Sequence, residues 1–188
     1  MKPDFDAELC LEKIREKDEF TYEHCISVGN IMYSFALYLG NDEKTAELYQ
    51  KAGFVHDLGK IMVPDDILNK AGVFEKQDFT VMREHVTNGK SLLAKYKNVP
   101  AIVFNVTYGH HLSYAGNGGY PDSSVSGMDI PIEARMAAIV DVYDALRMKR
   151  PYKGTMSREK ALEIMDHTAK LDKKLLESFK TFLRRTSF

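Results

Sequence analysis

Apolar residues recur along most of the chain at three- and four-residue spacing, the signature of helices with one buried face. A charged amphipathic stretch over 6–16 opens the series. The run Cys25, Val28, Met32, Phe35, Ala36 and Leu39 predicts a helix capped by Thr21 and ended by Gly40. Asp42 is placed to cap the next, with Thr45, Tyr49, Ala52, Gly53 and His56 in phase, before Gly59 and Pro64 break the chain. Met82, His85, Gly89, Leu92 and Tyr96 align on a helix over 78–96, and Val99, Val103, Val106 and His110 on another over 98–112. Residues 113–130, with their glycines, adjacent serines and a proline, form a loop. Pro131 suits the first turn of a helix running to Met148, whose stripe is Ala134, Ala137, Ala138, Asp141 and Ala145. Two more helices are expected over 157–169 and 172–184. No stretch alternates with period two for long enough to make a strand, so the fold class is all-α. A structureless loop as long as 113–130 is unusual in a compact domain and often functional.

Composition narrows the function classes without choosing one. The chain of 188 residues is one domain's worth, with 44% hydrophobic and 28% charged residues, which excludes a disordered or fibrous chain. A net charge of -1 gives no reason to expect a long nucleic acid or a lipid surface as partner. No apolar run is long enough for a transmembrane helix or a signal peptide. Two cysteines make no disulfide framework, and the expected compartment is the cytoplasm.

The six histidines change the picture. His24, His56, His85, His110 and His111 each sit on, or at the end of, the apolar face of a predicted helix. Asp57 follows His56, and Asp141 interrupts an alanine stripe. A buried imidazole or carboxylate needs a partner. Four helices that each send such a group inward are most economically served by shared cations. Seven ligands are too many for one first-row ion with an open position, so two ions are expected, with Asp57 as the bridge. Imidazole plus carboxylate without thiolate suits Fe or Mn, and also Zn, Co or Ni. Cys25 is adjacent to His24 but turned about 100° away on a helix, and is read as core. His167 is read as a surface residue.

These residues fall into ordered blocks: His24; His56-Asp57-Leu58-Gly59-Lys60; Pro64 with Ile67-Leu68-Asn69-Lys70; Arg83-Glu84-His85 with Gly89; His110-His111; Gly119-Tyr120-Pro121; Asp141-Val142-Tyr143-Asp144-Ala145-Leu146; and Arg150-Pro151-Tyr152. The chain thereby resembles the HD superfamily of metal-dependent phosphohydrolases and, within it, the HD-GYP cyclic dinucleotide phosphodiesterases. The resemblance implies an HD-domain helical bundle with additional C-terminal helices. It would be a single domain over 1–188, with its core over 21–152 and further helices over 157–184. It also implies that His24, His56, Asp57 and Asp141 hold one metal, and Asp57, His85, His110 and His111 the other. Lys60 matches the lysine that faces the substrate phosphate. Arg150 is the basic residue most exposed to an anionic substrate by this resemblance, and Tyr120 a candidate to stack on a purine. The implied activity is hydrolysis of a cyclic dinucleotide, cyclic di-GMP first, by a metal-bridging hydroxide, with Asp57 and Lys60 as the catalytic pair. The implied context is bacterial second-messenger signalling.

Three departures from the family pattern bear on activity. Leu112 stands where relatives have Glu, Ala115 opens the loop in place of Asp with one residue added, and Phe20 replaces a Glu that ligates a third metal in trinuclear relatives. Glu19 and Glu23 are out of phase, so two metals are expected, not three. Two rival readings stay open: a phosphohydrolase for another nucleotide, and a metal-bound interaction module that contacts signalling proteins through the 113–130 loop. Relatives usually carry a receiver or sensor domain ahead of this one. The short segment before His24 therefore points to a stand-alone protein or an excised domain.

Overall fold

The computed structural model describes residues 1–122, 124–148 and 156–188. Within them the chain folds as α1 (Ala7–Lys17), α2 (Glu19–Tyr38), α3 (Glu43–Val55), α4 (Asp65–Leu68), α5 (Lys76–Arg83), α6 (His85–Leu93), α7 (Ala101–Gly109), α8 (Ile132–Arg147), α9 (Arg158–Asp166) and α10 (Lys173–Leu183). Short 3-10 helices occupy Leu58–Met62 and Gly127–Asp129. Among the described residues there is no strand, only an isolated bridge between Asp4 and Lys97. The fold is the all-α bundle that the periodicity predicts. Among the described residues no helix is long and apolar enough to cross a membrane.

Capping chemistry explains where the helices begin. Asp42 caps α3, accepting from the Thr45 N–H as expected. Thr21 does not cap α2. Asp18 does, its carboxylate accepting from both the Thr21 N–H and the Thr21 hydroxyl at 2.7 and 2.6 Å. An aspartate one turn earlier offers a charged acceptor to the helix N-terminus, which a neutral hydroxyl cannot match. The single helix expected over 78–96 is two, interrupted at Glu84. There the His85 side chain donates from Nδ1 to the Met82 carbonyl at 2.7 Å, competing with the helical ladder. The helix expected over 98–112 is shorter and starts after Pro100.

α2 is the central element. It packs on α1, α3, α8 and α10. Phe35 of α2 meets Phe179 and Phe182 of α10 with ring centroids 5.1 and 5.3 Å apart, and Tyr143 of α8 closes on Phe179 at 5.3 Å. α10 buries Leu175, Leu176, Phe179, Phe182 and Leu183, the three-and-four spacing of an amphipathic helix. The α2–α3 crossing is closer than side chains allow. A Cβ on Gly53 would lie 2.6 Å from the Gly29 Cα, so backbone meets backbone. This contact brings His24 and His56 together, their rings 5.1 Å apart.

The 113–130 loop is tied down at both ends. Leu112, Ile130 and Ala134 form a small buried cluster beneath it. Above it, the Tyr114 N–H donates to the Lys170 carbonyl at 2.9 Å, and Lys170 Nζ donates to the Gly118 carbonyl at 2.6 Å. The turn between α9 and α10 therefore clasps the loop.

Candidate metal centre

Five segments converge on one end of the bundle. α2 carries His24, on the same face as Val28 and Ile31. The α3 terminus delivers His56 and Asp57. The 3-10 helix that follows turns at three residues per turn, so residue 60 eclipses residue 57 and Lys60 Nζ reaches Asp57 Oδ2 at 2.6 Å. His85 opens α6, His110 and His111 leave α7, and α8 contributes Asp141 and, one turn on, Asp144. His24, His56, Asp57, His85, His110 and Asp144 are buried.

The imidazoles are aimed by hydrogen bonds on their outer nitrogens. His56, His85 and His110 each donate from Nδ1 to a backbone carbonyl three or four residues earlier in the chain: Gly53 at 2.8 Å, Met82 at 2.7 Å and Val106 at 2.9 Å. An imidazole bonded this way presents its Nε2 on the opposite edge, toward the common centre. His24 donates from Nδ1 to Asp144 Oδ2 at 2.6 Å, and Ser27 donates its hydroxyl to the other Asp144 oxygen. Among the described residues the His111 ring has no hydrogen-bond partner. It is wedged instead between His110 and Tyr120, with centroids 4.0 and 4.6 Å away.

The ligand atoms fall into two groups. Those of His24, His56 and Asp141 lie within 4.8 Å of one another, as do those of His85, His110 and His111. Asp57 stands between them. Its Oδ2 is 3.4 Å from His56 Nε2, and its Oδ1 is 3.3 Å from His85 Nε2 and 3.9 Å from His110 Nε2. All seven sequence-derived ligands are thus brought together, with Lys60 beside them. The donor set fits divalent cations. His56 Nε2 is buried with no hydrogen-bond partner among the described residues, which costs ~1–3 kcal/mol unless another group meets it.

Electrostatics sort the groups into charged and neutral. Burial opposes ionisation of Asp57, yet the adjoining Lys60 ammonium and His56 hold its carboxyl well below the usual carboxylate range. Asp141 is likewise buried, and is held low by its hydrogen bond from His24. Burial works against a charge on His24 too, but the bonds to Asp141 and Asp144 raise it to about 9. Burial pushes His110 well down and His111 to about 3, reinforced for His110 by the neighbouring imidazoles.

The centre opens to solvent through a cavity of about 220 Å³. His24, Asp57, Lys60, His111 and Asp141 form its polar floor, and Phe20, Ala145 and Met148 its rim. Tyr120 faces a separate cavity of about 90 Å³ behind His110 and His111, together with Leu112 and Lys170. Its ring lies against His111, with the Arg83 guanidinium 5.3 Å from its centroid. Arg150 lies outside the described residues, with Lys149, Tyr152 and Lys153. His167 is exposed, and Cys25 is fully buried in the core, its sulfur 3.9 Å from His56 Nδ1. Sequence reasoning gave Asp144 and Ser27 no role. The available signal was a second carboxylate three residues after Asp141, on the same buried face. His56, His85 and His110 are oriented with Leu112 and Ala115 in place of acids, because backbone carbonyls three or four residues earlier do the orienting.

Comparison with known proteins gives consistent matches. The HD domain family matches residues 8–175. A cyclic di-GMP phosphodiesterase of Pseudomonas aeruginosa, PA4108, is 36% identical over 160 residues, 85% of this chain and 38% of that protein. The 3'3'-cGAMP-specific phosphodiesterase 1 of Vibrio cholerae is 30% identical over 86% of this chain and 37% of its own length. The chain therefore spans well under half of these relatives. Among solved structures, the HD domain of the L. monocytogenes phosphodiesterase PgpH in complex with cyclic-di-AMP superposes with a TM-score of 0.67. That match has 19% identity and covers 93% of both chains, a likeness of fold.

Proposed function

Because the chain belongs to the HD-domain family, we propose that it is a metal-dependent phosphodiesterase of cyclic dinucleotides, with cyclic di-GMP as the leading substrate. The observation that carries this reading is the pair of three-ligand groups with Asp57 between them, beside an open cavity whose polar floor includes Lys60. His24, His56, Asp57 and Asp141 would hold one divalent cation, and Asp57, His85, His110 and His111 a second, Fe or Mn before Zn, Co or Ni. Such cations supply Lewis acidity toward phosphate oxygens and lower the pKa of water.

The chain's own residues do the positioning. The carbonyl bonds on three Nδ1 atoms keep the Nε2 lone pairs inward without further rearrangement. Asp57 fixes the spacing between the two groups, since each of its oxygens faces one of them. Lys60 presents an ammonium to an incoming phosphate. Burial would discharge it, but Asp57 beside it holds its pKa above the ordinary lysine value, so it stays positive at neutral pH. Arg150 is proposed as a further contact to the anionic substrate.

A mixed cyclic dinucleotide is the second reading, favoured by the similarity to the cGAMP-specific enzyme of Vibrio cholerae. The test is turnover. The chain loaded with Mn or Fe(II) under anaerobic conditions is offered cyclic di-GMP, mixed cyclic dinucleotides and a generic phosphodiester. Asp57→Ala is expected to abolish hydrolysis with the helical fold retained. Binding of a cyclic dinucleotide without product under every metal would overturn the enzymatic reading, and elemental analysis near one or three ions per chain would overturn the two-metal one.

A further inference from the structure

The cavity rim is chemically unlike its floor. Phe20 lies four residues before His24 on α2, and so on the same helical face one turn away. Ala145 lies four residues after Asp141 on α8, and Met148 at the end of that helix. His24 and Asp141 are in contact at 3.0 Å, and the three apolar residues line the same cavity as both. The two helices thus run outward from the ligands and extend the polar floor into one apolar wall. Phe20 is 38% exposed, so its ring presents a face to the cavity rather than filling the core. A solvent-facing aromatic beside a charged centre suits a ligand with two parts, an anion for the floor and a flat apolar group for the wall.

We infer that Phe20, backed by Ala145 and Met148, is a base-stacking residue that binds one purine ring of the cyclic dinucleotide while the phosphodiester sits over Lys60 and the ligand cluster. This rests on the function proposed above and adds a specificity-determining contact to it. A nucleobase offers a π face of matching size to an aromatic ring, and such stacking tolerates either purine. The assignment also gives the Phe at this position a role of its own, where a carboxylate would add charge to the floor.

The chain contains no tryptophan, which makes the test direct. Phe20→Trp introduces the only indole of the protein, on the wall itself. In the metal-loaded full chain, its fluorescence is expected to be quenched on titration with cyclic di-GMP and to be unmoved by inorganic phosphate. Phe20→Ala is expected to raise KM about tenfold with kcat within about twofold, at unchanged metal content. The Phe20→Trp variant should keep the wild-type KM. Because Phe20 is exposed, neither substitution disturbs the core. An unchanged KM in Phe20→Ala, or an indole blind to cyclic di-GMP at concentrations that saturate turnover, overturns the inference while leaving the phosphodiesterase reading intact. A wild-type chain that neither binds nor hydrolyses any cyclic dinucleotide overturns both.

Discussion

Asp144 touches neither the cavity nor the Nε2 side of any imidazole, yet it orients His24. One of its oxygens accepts from His24 Nδ1 and the other from Ser27. Replacing the carboxylate by its amide keeps the shape and removes the charge that fixes the ring. Losses of such supporting acceptors commonly cost ~10–100-fold in metal affinity. Asp144→Asn is therefore expected to weaken metal binding by about that factor with little change in fold. Competition against a chelating dye measures it, and an unchanged affinity would show that the helix alone aims His24. At this scale the sequence was most legible. Chemically distinctive residues at helical spacing, His24, His56, Asp57, His85, His110, His111 and Asp141, stand out because burial is costly for each of them. Asp144 and Ser27 were less visible, since an aspartate and a serine in a helix have many ordinary uses.

Among the elements, the 3-10 helix over Leu58–Met62 sets how the two halves of the centre meet. It lies against α6 so closely that a Cβ on Gly59 would fall 1.8 Å from the His85 carbonyl oxygen and 2.5 Å from the Gly89 N. Both obstacles are backbone, which cannot rotate away. Gly59→Ala must therefore push the 3-10 helix off α6, separating Asp57 from His85. The expected cost is ~3 kcal/mol or more, beyond ordinary overpacking, and for a chain of this size about 6–12 °C in Tm. Thermal unfolding monitored by circular dichroism checks this, and a shift under about 2 °C would contradict it. Sequence alone reads Gly59 as a chain breaker, because periodicity reports which face is buried and not how near two backbones come. The Gly29–Gly53 crossing was hidden for the same reason. So was the break at Glu84, where an imidazole takes a carbonyl that apolar spacing assigns to the helix ladder.

For the molecule as a whole, gathering these groups makes metal-free stability depend on pH in two opposed windows. His85, His110 and His111 are kept neutral chiefly by burial, whereas unfolded histidine titrates near 6.5. Below that value the unfolded chain binds protons that the native chain refuses, His111 down to about 3. Stability therefore falls with pH there, by up to ~1.4 kcal/mol per unit for each group. His24 has the opposite sign. Burial resists its charge, but Asp141 and Asp144 raise it to about 9. Its contribution is complete below about 6.5 and is lost as pH rises through about 9. The chelator-treated protein should show its highest Tm between about pH 6.5 and 8, with a decline on both sides. A Tm that climbs steadily from pH 5 to 9.5, read by scanning calorimetry in matched buffers, would refute this. The all-α class was legible at this scale because the helical period recurs along the chain. The clasp of Lys170 on the loop was not, since nothing local in a sequence records a contact between residues 118 and 170.

The bond from His24 to Asp144 joins residues 120 positions apart, and Asp57 meets imidazoles from two later segments. Closing contacts over such separations carries a loop entropy cost that is offset only as the intervening helices pack. The centre is therefore expected to close late in folding, which a refolding rate independent of added metal would show. Ions held there would act as a latch: they would lengthen the lifetime of the native chain and leave the time it takes to fold nearly unchanged.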